Sequence, residues 1–550
     1  MLTLKWGQIL FKNHYTTLSF FTIMMLAISS CQMDNRSADV PALKDIVDSS
    51  QVGAAHLPDS IFPVNAPFSM PAFKRPSFRD QTTDIRQNGA RQGVMATKAI
   101  QQSIDQLSAK GGGTVLIPDG DWITGRISLK SNINLHLGDR ARLHFSGDVK
   151  DYQPAVFTRN EGIEVMSLGA CIYANGQDNI AITGKGKIYG PRQGGSVRSQ
   201  VMDSIVIEDF VSYKTPVKNR IYNGNNGGYI FLPMLISPIN CTRVFIEGVS
   251  LENTAFWNIV PVYCDQVIIR GVTVNSAGIP RGDGMDISSS KNVLIEYCTL
   301  SCGDDCFTLK AGRGEDGLRV NIPTDHVVIR NCLAIQGHGG VTCGSETAGL
   351  IKNVYVHDCV FEKTNVGIRF KTRRPRGGGG DSLFYENIRM YKTGKAFQWD
   401  MLGSTVYVGD LAARLPARKV GPLTPSFNNI KFKNIQVDSA EWFIKLTAIP
   451  ESPLTNVLME NMRVQADNFF KAADVDHFTI KNAVISTKDS TLTLLDTRHL
   501  LFENVWFKVP GDSLAMQIEG PKSADINFLD CRPARPKGWR TASYVPQAEK

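Results

Sequence analysis

The chain has 550 residues, of which 42% are apolar and 20% charged, with 48 glycines. That balance is too apolar for a disordered chain and predicts a large buried core, while length alone leaves the domain count open. The formal charge of +8, from 60 Lys and Arg against 52 Asp and Glu, favours an anionic partner. No dense basic tract with interleaved aromatics is present, so nucleic acid is not expected.

Lys5 and Lys12 precede an apolar run from Leu18 to Ser30, too short to span a bilayer and suited to a signal-peptide core. The run ends in LAISSC, which has the form of a bacterial lipobox and makes Cys31 the expected lipid-attachment residue, so residues 1–31 are assigned as a lipoprotein signal. The expected location is the outer membrane, reached through this lipid only, on either its periplasmic or its surface face; a soluble periplasmic protein is the alternative. Residues 32–75 are polar and Pro-bearing without periodicity and are expected to be a tether. Residues 76–532 are expected to form the catalytic body, and 533–550 a polar tail.

Ile100, Ile104 and Leu107 fall at helical spacing over Thr97 to Ser108, and Gly111 to Gly113 stop that pattern, which predicts a short capping helix. After it comes a repeat: a small polar residue, alternating aliphatics, then a polar pair. RVFIEGVSL, QVIIRGVTV, NVLIEYCTL, HVVIRNCLA and NVYVHDCVF place Val244, Val267, Val293, Val327 and Val354 at one position. The spacing is that of one coil of short strands, with no helix in the repeat. This predicts an all-β solenoid, a parallel β-helix. Cys298, Cys332 and Cys359 share one position of the repeat and are expected as stacked core thiols. Cys298, Cys302 and Cys306 have no plausible fourth ligand, so no zinc site is expected.

Aligned on these cysteines, successive coils carry CGDDCFTLK, QGHGGVTCG and KTNVGIRFK. Asp304 and His338 then fall at one offset, and Lys310 and Lys371 at another. If the turn of the preceding coil absorbs its extra residues, Asp283 of RGDGMD lies beneath Asp304, giving a file of Asp283, Asp304 and His338 along one face. Asp305 reaches the same face only if the backbone bends at Gly303. Arg369 and Lys371, two apart, share a face one coil further on. Crowded carboxyls supply the protonated acid and the ionised base that glycoside hydrolysis needs, and an Arg–Lys pair suits a uronic acid carboxylate. Asp286 and Trp257 read as structural, and Gly377 to Gly380 as a flexible turn.

With GDG, GDD, GHG and RFK in that order, the chain resembles glycoside hydrolase family 28, the polygalacturonases, whose signatures run NTD, DD, GHG and RIK. The similarity extends from roughly Phe78 to beyond RFKTRRPRGGGG. The resemblance implies a right-handed β-helix and an inverting hydrolase of α-linked galacturonic acid in pectin, without metal or cofactor, acting on an acidic polysaccharide as a monomer. It places Asp304 as general acid, Asp283 and Asp305 as the residues that activate water, His338 as support for carboxylate ionisation, and Arg369 and Lys371 as the substrate-binding pair. Arg281, Gly282 and Phe370 depart from the family pattern, which leaves a rhamnogalacturonan or decorated galacturonan open as substrate. An insertion over Ser196 to Gly228 either walls off one end of the cleft, which favours exo action, or forms a surface loop. The rivals are a calcium-dependent lyase and a non-catalytic glycan-binding surface protein.

Overall fold

The computed structural model describes residues 43, 46–201 and 207–533; Cys31 and most of the expected tail lie outside these. Parallel strands wind around a continuous apolar core as a right-handed parallel β-helix, with the parallel coils that the repeat predicts and the handedness that the resemblance implies. The repeated aliphatic position becomes one file of paired residues from coil to coil: Ile180, Val244, Val267, Val293, Val327, Val354, Leu383, Ile430 and Val457. Aliphatic side chains stacked in register bury one another, so each coil is stabilised by its neighbours.

The polar residue before each of these aliphatics turns the chain. Asn292, His326 and Asn353 have φ of 55°, 54° and 50°, left-handed values that Asn tolerates better than most residues. The Asn side chains also reach down one coil, Asn292 Nδ2 to Asp265 Oδ1 at 2.7 Å and Asn353 Nδ2 to Asp325 Oδ1 at 2.8 Å.

Helix α1 (Thr97–Ala109) buries Ile100, Ile104 and Leu107 against the first coil, capping that end as expected. The thiols are core side chains: ten described cysteines are free and buried, and the Cys298 amide donates to Cys332 Sγ at 3.4 Å.

The tether needs correction in its described part. From about residue 50 to 76 the chain is a strap docked across the coils. Gly53 N donates to Asn331 O at 2.8 Å, and the guanidinium of fully buried Arg270 donates to Pro58 O at 2.8 Å. Arg330 donates to Phe62 O at 2.8 Å, and both arginines pair with buried Glu296 at 2.7 Å. Ile61, Val64, Phe68, Met70 and Phe73 cover Leu294, Val328 and Tyr355 on the outer face. An extended segment that crosses coils needs neither helical nor alternating spacing, so its apolar residues carry no period.

Candidate active site

Four strands carry the site: β1 (Met285–Ser288), β2 (Phe307–Lys310), β3 (Leu333–Cys343) and β4 (Thr364–Lys371). Asp286, Thr308, Thr342 and Arg369 pair in register across them, so the outer face of this sheet is one continuous polar strip. Asp283 precedes β1, Asp304 and Asp305 precede β2, and His338 lies within β3.

The chain bends at Gly303, as required for both aspartates to reach one site. A Cβ there would meet Ile279 O at 2.1 Å, so the close backbone approach demands glycine. Gly339 answers to the same constraint, since its Cβ would lie 2.7 Å from Asp305 Oδ1.

All six expected residues converge. Carboxylate oxygens of Asp283, Asp304 and Asp305 lie within 4.8 Å of one another. His338 Nδ1 is 3.0 Å from Asp304 Oδ1, Lys371 Nζ donates to Asp305 Oδ2 at 2.6 Å, and Arg369 Nη1 donates to Asp305 Oδ1 at 3.2 Å. One detail of the expected file is wrong. Met285 pairs with Phe307, which sets Asp283 level with Asp305, whereas Asp304 is level with His338 through the pairing of Phe307 with Val341. The turn before β1 absorbs one residue fewer than the sequence alignment assumed.

Exposure separates the carboxyls. Asp304 has 26% of its side chain exposed and His338 52%, while Asp305 is fully buried and Asp283 nearly so. Burial, reinforced by Asp286 and Asp304, pushes the Asp283 carboxyl well above its ordinary value. Burial acts the same way on Asp305, but Lys371 and Arg369 outweigh it and hold that carboxyl well below the usual range. The bond to Asp304 raises His338 against the opposing effect of its partial burial. The cluster therefore holds an ionised carboxylate beside a protonated carboxyl, the two states that acid–base chemistry requires.

Beneath these lies a layer that sequence reasoning only partly reached. Asp286 is fully buried and pushed up to about 7, chiefly by burial. Lys310 Nζ stands 3.5 Å from Asp286 and 3.0 Å from Glu346, and 4.4 Å over the ring of buried Trp257. The shared offset of Lys310 and Lys371 in the repeat was a signal for Lys310; Glu346 sits in a turn outside any repeat. Phe370 faces the core and stacks on Trp399 at 4.7 Å, so this departure from the family pattern leaves substrate contacts alone. Arg281 pairs with Glu161 at 3.1 Å, which also holds Arg313, and Arg313 pairs with Glu208 of the insertion at 2.9 Å. Gly377 to Gly380 is tightly packed, correcting the expected flexible turn: Cβ atoms at Gly378 and Gly379 would lie 1.8 and 1.6 Å from carbonyl oxygens.

Three carboxylates this close could attract a divalent cation, but Arg369 and Lys371 already occupy both oxygens of Asp305.

A family model described as glycosyl hydrolases family 28 matches residues 222–476, a span that contains all six residues. A probable polygalacturonase of Vitis vinifera is 27% identical over 382 residues, 68% of this chain and 71% of that protein. An exopolygalacturonase from Thermotoga maritima superposes with a TM-score of 0.65 at 26% identity, covering 79% of this chain and 93% of that one. The chain is a glycoside hydrolase. An endo-polygalacturonase of Pectobacterium carotovorum subsp. carotovorum is 27% identical over 391 residues, 69% of this chain and 87% of that protein.

Proposed function

We propose that the hydrolase cleaves α-linked galacturonic acid in pectin with inversion, from a chain end. The observation that carries this reading is a buried, ionised Asp305 held by Arg369 and Lys371 beside the half-exposed Asp304–His338 pair. Asp304 donates a proton to the glycosidic oxygen as its bond to the anomeric carbon breaks. Asp305 takes a proton from the water that forms the new bond, and Asp283 orients that water. The proton that burial and crowding hold at Asp283 lies in the same cluster as Asp304, which passes it to the leaving oxygen. Arg369 and Lys371 face the cleft with about a fifth of each side chain exposed and suit the substrate carboxylate.

Inversion is favoured because fully buried Asp305, with both oxygens held, suits a base acting on water better than a nucleophile reaching a sugar carbon. The carboxyl oxygens lie closer than the separation usual for inverting enzymes, so the anomer released is the informative readout. Exo action is favoured by the insertion, whose Glu208 is tied to Arg313 beside Arg281, two residues from Asp283. Product analysis on polygalacturonate and on rhamnogalacturonan tests these points. Saturated galacturonic acid monomer, released as the β-anomer, without oligomers and unaffected by chelator, is expected; unsaturated product abolished by chelator would replace the reading with a lyase.

We also propose export with a lipid on Cys31, supported by the LAISSC junction. Mass spectrometry of the cell-derived protein should find an acylated Cys31 at its N-terminus. A mature chain starting elsewhere and unmodified would refute this.

A further inference from the structure

Beyond β4 the polar strip continues along β5 (Thr393–Asp400), β6 (Ser426–Thr447) and β7 (Leu454–Thr487). Arg369 pairs in register with Gln398, Gln398 with Lys445, and Lys445 with Lys471. A second file, Lys395, Trp442 and Asn468, runs beside it. Lys445 and Lys471 are exposed, and Lys395, Gln398, Trp442 and Asn468 are half-buried.

These lysines are short of counter-charge. Among the described residues, Lys395, Lys445 and Lys471 form no ion pair, although 38 such pairs are present elsewhere. Lys395 is held below its ordinary value by burial and then by Lys445, with Arg369 adding to the effect and only Glu441 opposing it. The neighbouring Asp400 is committed to the amides of Leu402 and Gly403. Lys445 Nζ lies 5.8 Å from the Trp442 ring centroid, so a flat apolar surface stands among the cations. Like charges gathered with few carboxylates cost stability unless an anion relieves them.

We propose that this strip is an extended binding track for a polyuronate chain, in which successive coils past the cleavage site meet successive sugars. Adjacent coils stand about 4.8 Å apart, close to the length of one pyranose with its linking oxygen. Arg369 and Lys371 hold the uronate at the site, Lys395 and Lys445 meet those that follow, Lys471 meets one further on, and Trp442 offers a face for stacking on a sugar ring. The proposal rests on the reading of the site as a polyuronate hydrolase.

The test is calorimetric binding of oligogalacturonates of increasing length to full-length Asp304→Asn protein, with and without Lys395→Ala, Lys445→Ala and Lys471→Ala together. Affinity should rise with length in the parent and lose about tenfold on the longest oligomer in the triple variant, a loss absent when Lys110, Lys291 and Lys352 are replaced instead. Fully methyl-esterified oligomers, which keep the sugar shape but not the charge, should show little of the gain. An unchanged length dependence in the triple variant, or equal gains for esterified oligomers, overturns the track. Turnover of polygalacturonate by the wild type is measured separately: turnover without a length-dependent gain in affinity overturns the track alone, and binding along the track without turnover overturns the hydrolase substrate alone.

Discussion

Asp304→Asn should lower kcat on polygalacturonate by about a thousandfold while leaving the thermal unfolding midpoint nearly where it was. Asn fills the same volume and can still meet His338 Nδ1, now 3.0 Å from the carboxylate oxygen, but it has no acidic proton to give the leaving oxygen. The side chain is partly exposed, so little packing is at stake. His338 supplies a second readout. Its charged form is favoured by the bond to Asp304, so it contributes stability that is fully present below the ordinary imidazole pKa and is lost as pH rises through its raised value. In the variant that loss should set in at lower pH, visible by NMR titration of the ring. Retention of a tenth or more of wild-type kcat would place the general acid elsewhere.

Lys371→Met should both disable the enzyme and destabilise it, by about 3 kcal/mol at neutral pH, because it leaves a buried carboxylate with one partner where it had two. Asp305 is fully buried, with Lys371 Nζ at 2.6 Å and Arg369 Nη1 at 3.2 Å. Its depressed folded pKa means that the stabilisation is present above the ordinary carboxylate value near ~4 and is lost as pH falls through the folded value. Removing Lys371 raises the folded value, so the variant loses this contribution at higher pH than the wild type does. Urea unfolding at pH 7 and pH 3 should therefore show a gap between the two proteins that narrows with acid. An equal gap at both values would mean that Lys371 acts by packing and not through the charge of Asp305.

Both expectations turn on residues that the sequence made visible, and the reason is geometric. A coil repeats its backbone path, so a constant offset from Cys298 and Cys332 translates directly into the pairing of Asp304 with His338. The same logic failed by one step at Asp283, where a turn of different length intervenes and strand pairing, not sequence spacing, sets the level. Phe370 was misjudged because a one-letter departure inside a motif does not say which face it occupies; alternation with Arg369 and Lys371 puts it in the core. The strap escaped for a different reason. Ile61, Phe68 and Phe73 are spaced by the positions of the coils they cross, a distance recorded nowhere in their own segment. Glu346 is beyond the reach of a repeat because it belongs to a turn, and only the folded chain brings it to Lys310.

The stacked cysteines bear on how the molecule ages. Burial pushes the thiols of Cys171 and Cys343 up to about 12 and that of Cys332 well above its ordinary value, so in the intact coil almost no thiolate is available to an oxidant or an alkylating reagent. Each of these thiols becomes reactive only when its own coil parts from its neighbours. Because thiols raised by burial run from Cys171 to Cys531, their labelling in a partly oxidised sample would record where the solenoid had opened.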